Sequence, residues 1–278
     1  MTAPSTRPTP PTAGPRQRSL SPSRAADFKT CPLLYRFRNI DRLPERPTVE
    51  QARGSLVHAV LERLFGLPVV DRTPENATGL LPEALRRLTA TDPAVAEVLA
   101  ATPDAERTLL AAANALLAGY FTMEDPRRLA GTERECFVEA EVAGGLVLHG
   151  YIDRLDVAPS GELRVVDYKT GGAPREAFEA RALFQLRFYA LVLWRGRGVL
   201  PRVLRLMYLK DVQICDFTPD ADDLERFERT LVALRQAIDR ATADRDFRPS
   251  AGRLCDWCSH QAHCPAHGGQ LPPFPADQ

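Results

Sequence analysis

Lysine is nearly absent from this chain. Lys29, Lys169 and Lys210 are the only three in 278 residues, although Lys and Arg together number 36. The arginine bias, with abundant Ala and Pro, reads as the mark of a GC-rich genome rather than of a function. Net charge is absent too, because 36 acidic residues balance the basic ones. Nucleic-acid binding therefore cannot be argued from bulk charge, and any basic surface must be local. No apolar run approaches the ~18–20 residues that span a bilayer, and the N-terminus lacks the apolar core of a signal peptide. The expectation is a cytoplasmic protein with no membrane partner. Stable disulfides do not persist in that compartment, so the six cysteines need another use. There is no internal repeat. No glycine-rich loop precedes Lys169-Thr170, and Tyr168 stands where a P-loop needs glycine, which excludes an NTP-driven motor in this chain. What remains is ordinary globular material, 44% apolar and 26% charged, enough for one elaborated domain or two small ones.

Residues 1–18, rich in Pro and Thr, are expected to be a disordered tail. Ser21 can cap a helix opened by Pro22. That helix runs toward Cys31-Pro32, and a second one continues over 33–40. Arg24, Lys29, Arg36, Arg38, Arg42 and Arg46 make this region locally basic, a candidate contact for nucleic-acid phosphates. Residues 49–65 have a strong helical period, with Leu56, Val60 and Leu64 on one face. Residues 68–79 read as a linker, and 80–88, 93–100 and 104–123 as three helices rich in Ala and Leu. Strands are expected at 133–142 and 146–157, around the Gly144-Gly145 turn, and at 163–169. A nearly all-apolar helix over 175–194, strands at 203–210 and 212–217, and a helix over 221–241 complete the order.

The densest chemistry lies in 150–170. Two alternating segments flank Ala158-Pro159-Ser160-Gly161, a strand–turn–strand pattern. With the turn centred on Ser160, residues whose numbers sum to 320 face each other. Asp156 then opposes Arg164, a plain cross-strand ion pair. Asp153 opposes Asp167, two like charges that cost stability unless something neutralises them. Neutralising Asp153 is accordingly expected to stabilise the metal-free protein. A divalent cation such as Mg²⁺ or Mn²⁺ suits paired carboxylates. Lys169, two residues on from Asp167, shares its face. Two acids and one ammonium thus surround one point.

Asp153 followed by Asp167-Tyr168-Lys169 resembles the D…D-x-K core of the PD-(D/E)XK nuclease superfamily. The flanking Gly150-Tyr151-Ile152-Asp153-Arg154-Leu155-Asp156 is similar to its RecB-family branch. Gly54 through Glu62 resembles that branch's G-x-x-x-H-x-x-L-E motif, which implies His58 as a metal ligand, with Glu62 a candidate partner for its other nitrogen. Gln185 and Tyr189 lie one turn apart in an apolar stripe that includes Phe178. They resemble the Q-x-x-x-Y motif placed beside the site and the DNA; read alone, they are a buried polar pair needing partners. The resemblance implies an α/β PD-(D/E)XK restriction-endonuclease-like core, a mixed sheet flanked by helices, with a helical insertion at 68–130. Asp153, Asp167, His58 and the Tyr168 carbonyl would bind the metal. Lys169 would orient water and stabilise charge in the transition state.

Cys255-Asp256-Trp257-Cys258, then Cys264-Pro265, with a lone Cys31-Pro32 far upstream, resembles the [4Fe–4S] staple of AddB-type nuclease domains. The rival is Zn²⁺, for which C-x₂-C spacing is also suited and in which His260 or His263 could replace a cysteine. Cys136 and Cys215 read as core thiols. The implied layout is a nuclease domain over 19–267, with 255–264 and Cys31 as its staple, and a flexible tail over 268–278. The implied function is metal-dependent DNA cleavage, exonucleolytic on single strands or ends, in repair or recombination, with DNA and a separate helicase or recombination protein as partners. The alternative is a catalytically weak DNA-binding subunit stapled by a metal cluster and working with a separate helicase.

Overall fold

The computed structural model describes residues 19–173 and 179–275. The expected tail over 1–18, the helix start at Arg175 and Phe178 lie outside them. The chain opens with a short strand, β1 (Ser19–Leu20), and helix α1 (Pro22–Thr30), whose cap is the Ser21 hydroxyl accepting from the Arg24 N–H. The helix expected over 33–40 is present but changes its hydrogen bonding part-way. α2 (Pro32–Tyr35) gives way to a π-type turn over Arg36–Ile40, closed by the Asp41 N–H on the Arg36 carbonyl at 2.8 Å. α3 (Val49–Phe65) starts at a reciprocal cap between Thr48 and Gln51. α4 (Pro74–Thr91), α5 (Pro93–Ala100) and α6 (Ala105–Met123) follow. α4 begins six residues ahead of the expected start at 80, because Thr73 accepts from the Asn76 N–H and Pro74 takes the first helical position.

β2 (Thr132–Val142), β3 (Leu146–Val157), β4 (Leu163–Lys169), β5 (Val203–Tyr208) and β6 (Gln213–Phe217) make one mixed sheet with β1. α7 (Glu179–Arg197) crosses from β4 to the parallel β5, and α8 (Ala221–Ala243) follows β6. One core lies between the sheet and α1, α2, α7 and α8; the other lies between the sheet and α3–α6. β4 is apolar at successive positions because both faces are covered: Val165 enters the first core and Val166 the second. The fold is thus the mixed sheet flanked by helices that the sequence implies. Among the described residues no helix is long and apolar enough to cross a membrane.

The sheet contains the feature that builds the site. β2 occupies one edge of β3, so β1 and β4 share the other. β1 pairs there with Val147 and Leu148, and β4 pairs only from Arg154 onward. Along that edge, residues 149–153 of β3 have no strand partner among the described residues. Asp153 sits at the mouth of this fork.

Candidate active site

The β3–β4 register is the one expected, with Asp156 opposite Arg164 and Arg154 opposite Val166. The Asp156–Arg164 pair is a salt bridge of 2.7 Å. One step further the strands part. Asp153 does not close a ladder with Asp167; its Oδ2 accepts the Tyr168 N–H at 2.8 Å, across the fork. α3 brings His58 to the same place. Its Nδ1 lies 3.4 Å from Asp153 Oδ1 and its Nε2 3.0 Å from the Tyr168 carbonyl oxygen. Both ring nitrogens therefore face groups other than Glu62. Gly54 permits the approach, since a Cβ there would lie 3.3 Å from Thr170 Oγ1.

Glu135 of β2 completes the group. Its carboxylate, His58 and Asp153 each offer a ligand atom, and the three lie within 4.8 Å of one another. Glu135 also has a left-handed backbone, φ 43°, inside a strand. A side chain other than glycine tolerates that only where surroundings enforce it. Sequence reading missed this residue. The signal was available: a turn at Gly144-Gly145 with partners summing to 288, as in Cys136↔Ile152, aligns Glu135 with Asp153.

Asp167 stands beside this group rather than in it. It is buried, and Lys169 Nζ lies 2.6 Å from its Oδ2. Lys169 Nζ also donates to Gln185 Oε1 at 3.0 Å, and Gln185 Nε2 donates to the Tyr189 hydroxyl at 3.3 Å. The polar pair in the apolar stripe of α7 thus finds its partner in Lys169. The Tyr189 ring fits against Gly150, where a Cβ would come within 2.8 Å of it.

The two acids carry different electrostatic loads. Burial raises the Asp153 pKa, but His58 and the Tyr168 N–H outweigh it and hold the carboxyl below its usual range. Burial also raises Asp167; Lys169 offsets part of this, the Asp153 charge adds to it, and the net shift is upward. Burial lowers the His58 pKa, yet the Asp153 carboxylate, with Asp167 and Glu135 behind it, raises it from 6.5 to about 9. The repulsion expected of facing carboxylates therefore falls on Asp167, while Asp153 is the partner of His58 and the Tyr168 N–H.

The donor set fits a divalent cation. Ligand atoms of two carboxylates and an imidazole lie within 4.8 Å of one another, and the Tyr168 carbonyl lies 3.0 Å from the same imidazole. With this geometry, the match of residues 19–265 to the model of the PD-(D/E)XK nuclease superfamily decides the identity. The chain belongs to the PD-(D/E)XK nuclease superfamily. As a member of that superfamily it carries a fold whose nucleases use divalent metals. The Gene 69 protein of Mycobacterium phage D29 is 28% identical over 196 residues, 64% of this chain and 70% of that protein. A crystal structure from Eubacterium rectale, described as a candidate exonuclease, aligns with a TM-score of 0.56 at 13% identity. The alignment covers 92% of this nuclease-superfamily chain and 93% of that one, a likeness of fold.

Cys31, Cys255, Cys258 and Cys264 all line one cavity of about 220 Å³ between α2 and the C-terminal segment, with none of the fork residues in its lining. The Ser250 N–H donates to Cys31 Sγ and the Gly252 N–H to Cys255 Sγ, both at 3.3 Å. Among the described residues, no three cysteine sulfurs lie within 4.8 Å of one another. His260 is buried against Phe37 and paired with Glu45 at 2.9 Å. Cys136 lies elsewhere, with its thiol pushed up to about 11 by burial and the neighbouring Glu133. The basic N-terminal region is partly consumed inside the protein. Arg36 is buried, pairs with Asp41 and donates to the Pro272 carbonyl, and Arg38 pairs with Asp27 and Glu45.

Proposed function

We propose that this protein is a RecB-like, Mg²⁺- or Mn²⁺-dependent deoxyribonuclease that degrades single strands or ends in DNA repair or recombination. The observation that carries the reading is the fork, where His58 of α3 joins Glu135 of β2 and Asp153 of β3 in a metal-competent group and Lys169 of β4 supplies a separate ammonium. His58, Asp153, Glu135 and the Tyr168 carbonyl would hold the cation, with Asp167 the remaining acid beside it. A divalent cation there supplies Lewis-acid polarisation of the phosphodiester and a bound water of lowered pKa. Lys169, steadied by Asp167 and Gln185, is the group to orient the attacking water and offset charge growing on the phosphate. Tyr189 keeps Gln185 turned toward Lys169. DNA is the substrate, and a helicase or recombination protein is a fitting partner.

We also assign a [4Fe–4S] cluster to the four-cysteine cavity. The Ser250 and Gly252 N–H groups aimed at Cys31 Sγ and Cys255 Sγ suit thiolate ligands, and three C-terminal cysteines sharing one cavity with a distant Cys31 is the arrangement that supports the reading. Digestion of end-labelled single- and double-stranded DNA with Mg²⁺, Mn²⁺ or EDTA tests the enzyme reading. Cleavage that is metal-dependent and lost in Lys169→Ala supports it; folded protein that binds DNA and never cleaves it refutes it.

A further inference from the structure

Arg154 is the largest fully buried side chain in the protein. Its Nη1 donates to the Tyr168 hydroxyl at 2.7 Å and to Glu124 Oε1, and its Nη2 to Glu124 Oε2 at 3.1 Å. Its Nε lies 2.9 Å from Asp156 Oδ1, an ion pair off hydrogen-bond geometry. Tyr120 of α6 donates to Glu124 at 2.8 Å, and Arg164 pairs with Asp156. Arg154, Arg164, Glu124 and Asp156 form a neutral quartet beneath the sheet. Such a buried network is a poor source of stability, because apolar residues of similar volume do as well or better. It has a specific output instead. The Tyr168 side chain ends on Arg154, and the Tyr168 main chain is the bridge of the site: its N–H holds Asp153 and its carbonyl faces His58. The Tyr168 ring also packs edge-on against both His58 and Tyr120, at 6.0 and 5.9 Å.

We propose that Arg154 and the Tyr168 hydroxyl are positioning residues, which fix the Tyr168 peptide for metal binding and make α6 a working part of the site. The inference rests on the metal assignment at the fork. The Tyr168 side chain is held by Arg154 and packs between His58 and Tyr120, so a clamp on that side chain sets the peptide whose N–H and carbonyl meet Asp153 and His58. Helix α6, which carries no catalytic side chain, thereby gains a role through Tyr120 and through Glu124 at its C-terminal cap.

The test is Mn²⁺ titration of the full-length protein by calorimetry, with DNA cleavage measured in parallel. Tyr168→Phe keeps the ring and removes only the hydroxyl. It should weaken Mn²⁺ binding about tenfold, the scale typical of lost outer partners of metal ligands. Its KM for DNA should stay unchanged, and its kcat should fall at low Mn²⁺ and recover at high Mn²⁺. Glu124→Gln carries the same expectation if Tyr168→Phe does not fold. Leu109→Ala, in the buried core of α6 away from the quartet, should lower the melting temperature and leave Mn²⁺ affinity intact. Wild-type Mn²⁺ affinity in the folded hydroxyl variant, or an equal loss in Leu109→Ala, overturns the positioning role alone. Wild-type protein whose Mn²⁺ binding survives Asp153→Ala overturns the metal assignment and this inference with it.

Discussion

His58 lies between two acceptors, a carboxylate at Nδ1 and a carbonyl at Nε2, and that suits an imidazolium better than a neutral ring. Its folded pKa, about 9, is above its ordinary 6.5. The stability it adds to the metal-free protein is therefore fully present below about pH 6.5 and is lost as pH rises through 9. Melting of EDTA-treated wild type and His58→Gln between pH 6 and 10, on the order of one measurement per unit, checks this: the gap between them should close toward the alkaline end. A gap that widens would show that His58 is neutral. A cation must displace that proton, so Mn²⁺ affinity should climb over the same range. The acids separate by the same logic. Asp153 is favoured in its charged form and Asp167 is not. Without metal, Asp167→Asn should raise the melting midpoint by roughly 2–4 °C, while Asp153→Asn lowers it. Both should abolish cleavage, and equal midpoints for the two would mean that they share the repulsion evenly.

At the scale of elements, the fork between β3 and β4 is the organising device. Its register was legible because the turn at 158–161 and the period-two alternation around it leave one consistent pairing, seen in Asp156↔Arg164. The parting of the strands at Asp153 was not legible, because it depends on β1 taking the same edge of β3 from a distant part of the chain. Glu135 was hidden for a related reason. Glu133, Arg134 and Glu135 are charged in succession, which blurs the alternation, and a left-handed φ then takes Glu135 out of it. Nothing in the sequence around Arg154 shows that it is buried; its partner Glu124 lies just past the end of α6, far away in the chain. Glu135→Gln should keep the fold and weaken Mn²⁺ binding at least several-fold, since it removes one of the closely set ligand charges. Calorimetry that finds wild-type affinity would leave the strained backbone at Glu135 without a metal-binding purpose.

Across the described residues, the N-terminal helices and the C-terminal segment meet beside the four-cysteine cavity. Phe28 and Tyr35 from the N-terminal helices pack on Phe247, which stacks on Phe274, and Arg36 holds the Pro272 carbonyl. Cys31→Ala should therefore loosen the closure without freeing the ends altogether. A metal group bridging Cys31 and Cys264 closes a loop of most of the chain, and such closure constrains the unfolded state strongly. The midpoint should fall by about 5 °C or less while the aromatic stack persists. Anaerobically purified wild type should be brown, with iron and labile sulfide near ~4 each per chain; colourless, active protein with stoichiometric zinc would refute the cluster. The central claim is that the fork is a metal-dependent nuclease site. The most direct measurement is digestion of end-labelled DNA by wild type, Asp153→Ala and Lys169→Ala, each verified as folded and carrying the same cysteine-bound metal. Cleavage should require Mg²⁺ or Mn²⁺, stop with EDTA and fall by at least ~100-fold in both variants; wild-type rates in either one would contradict the assignment.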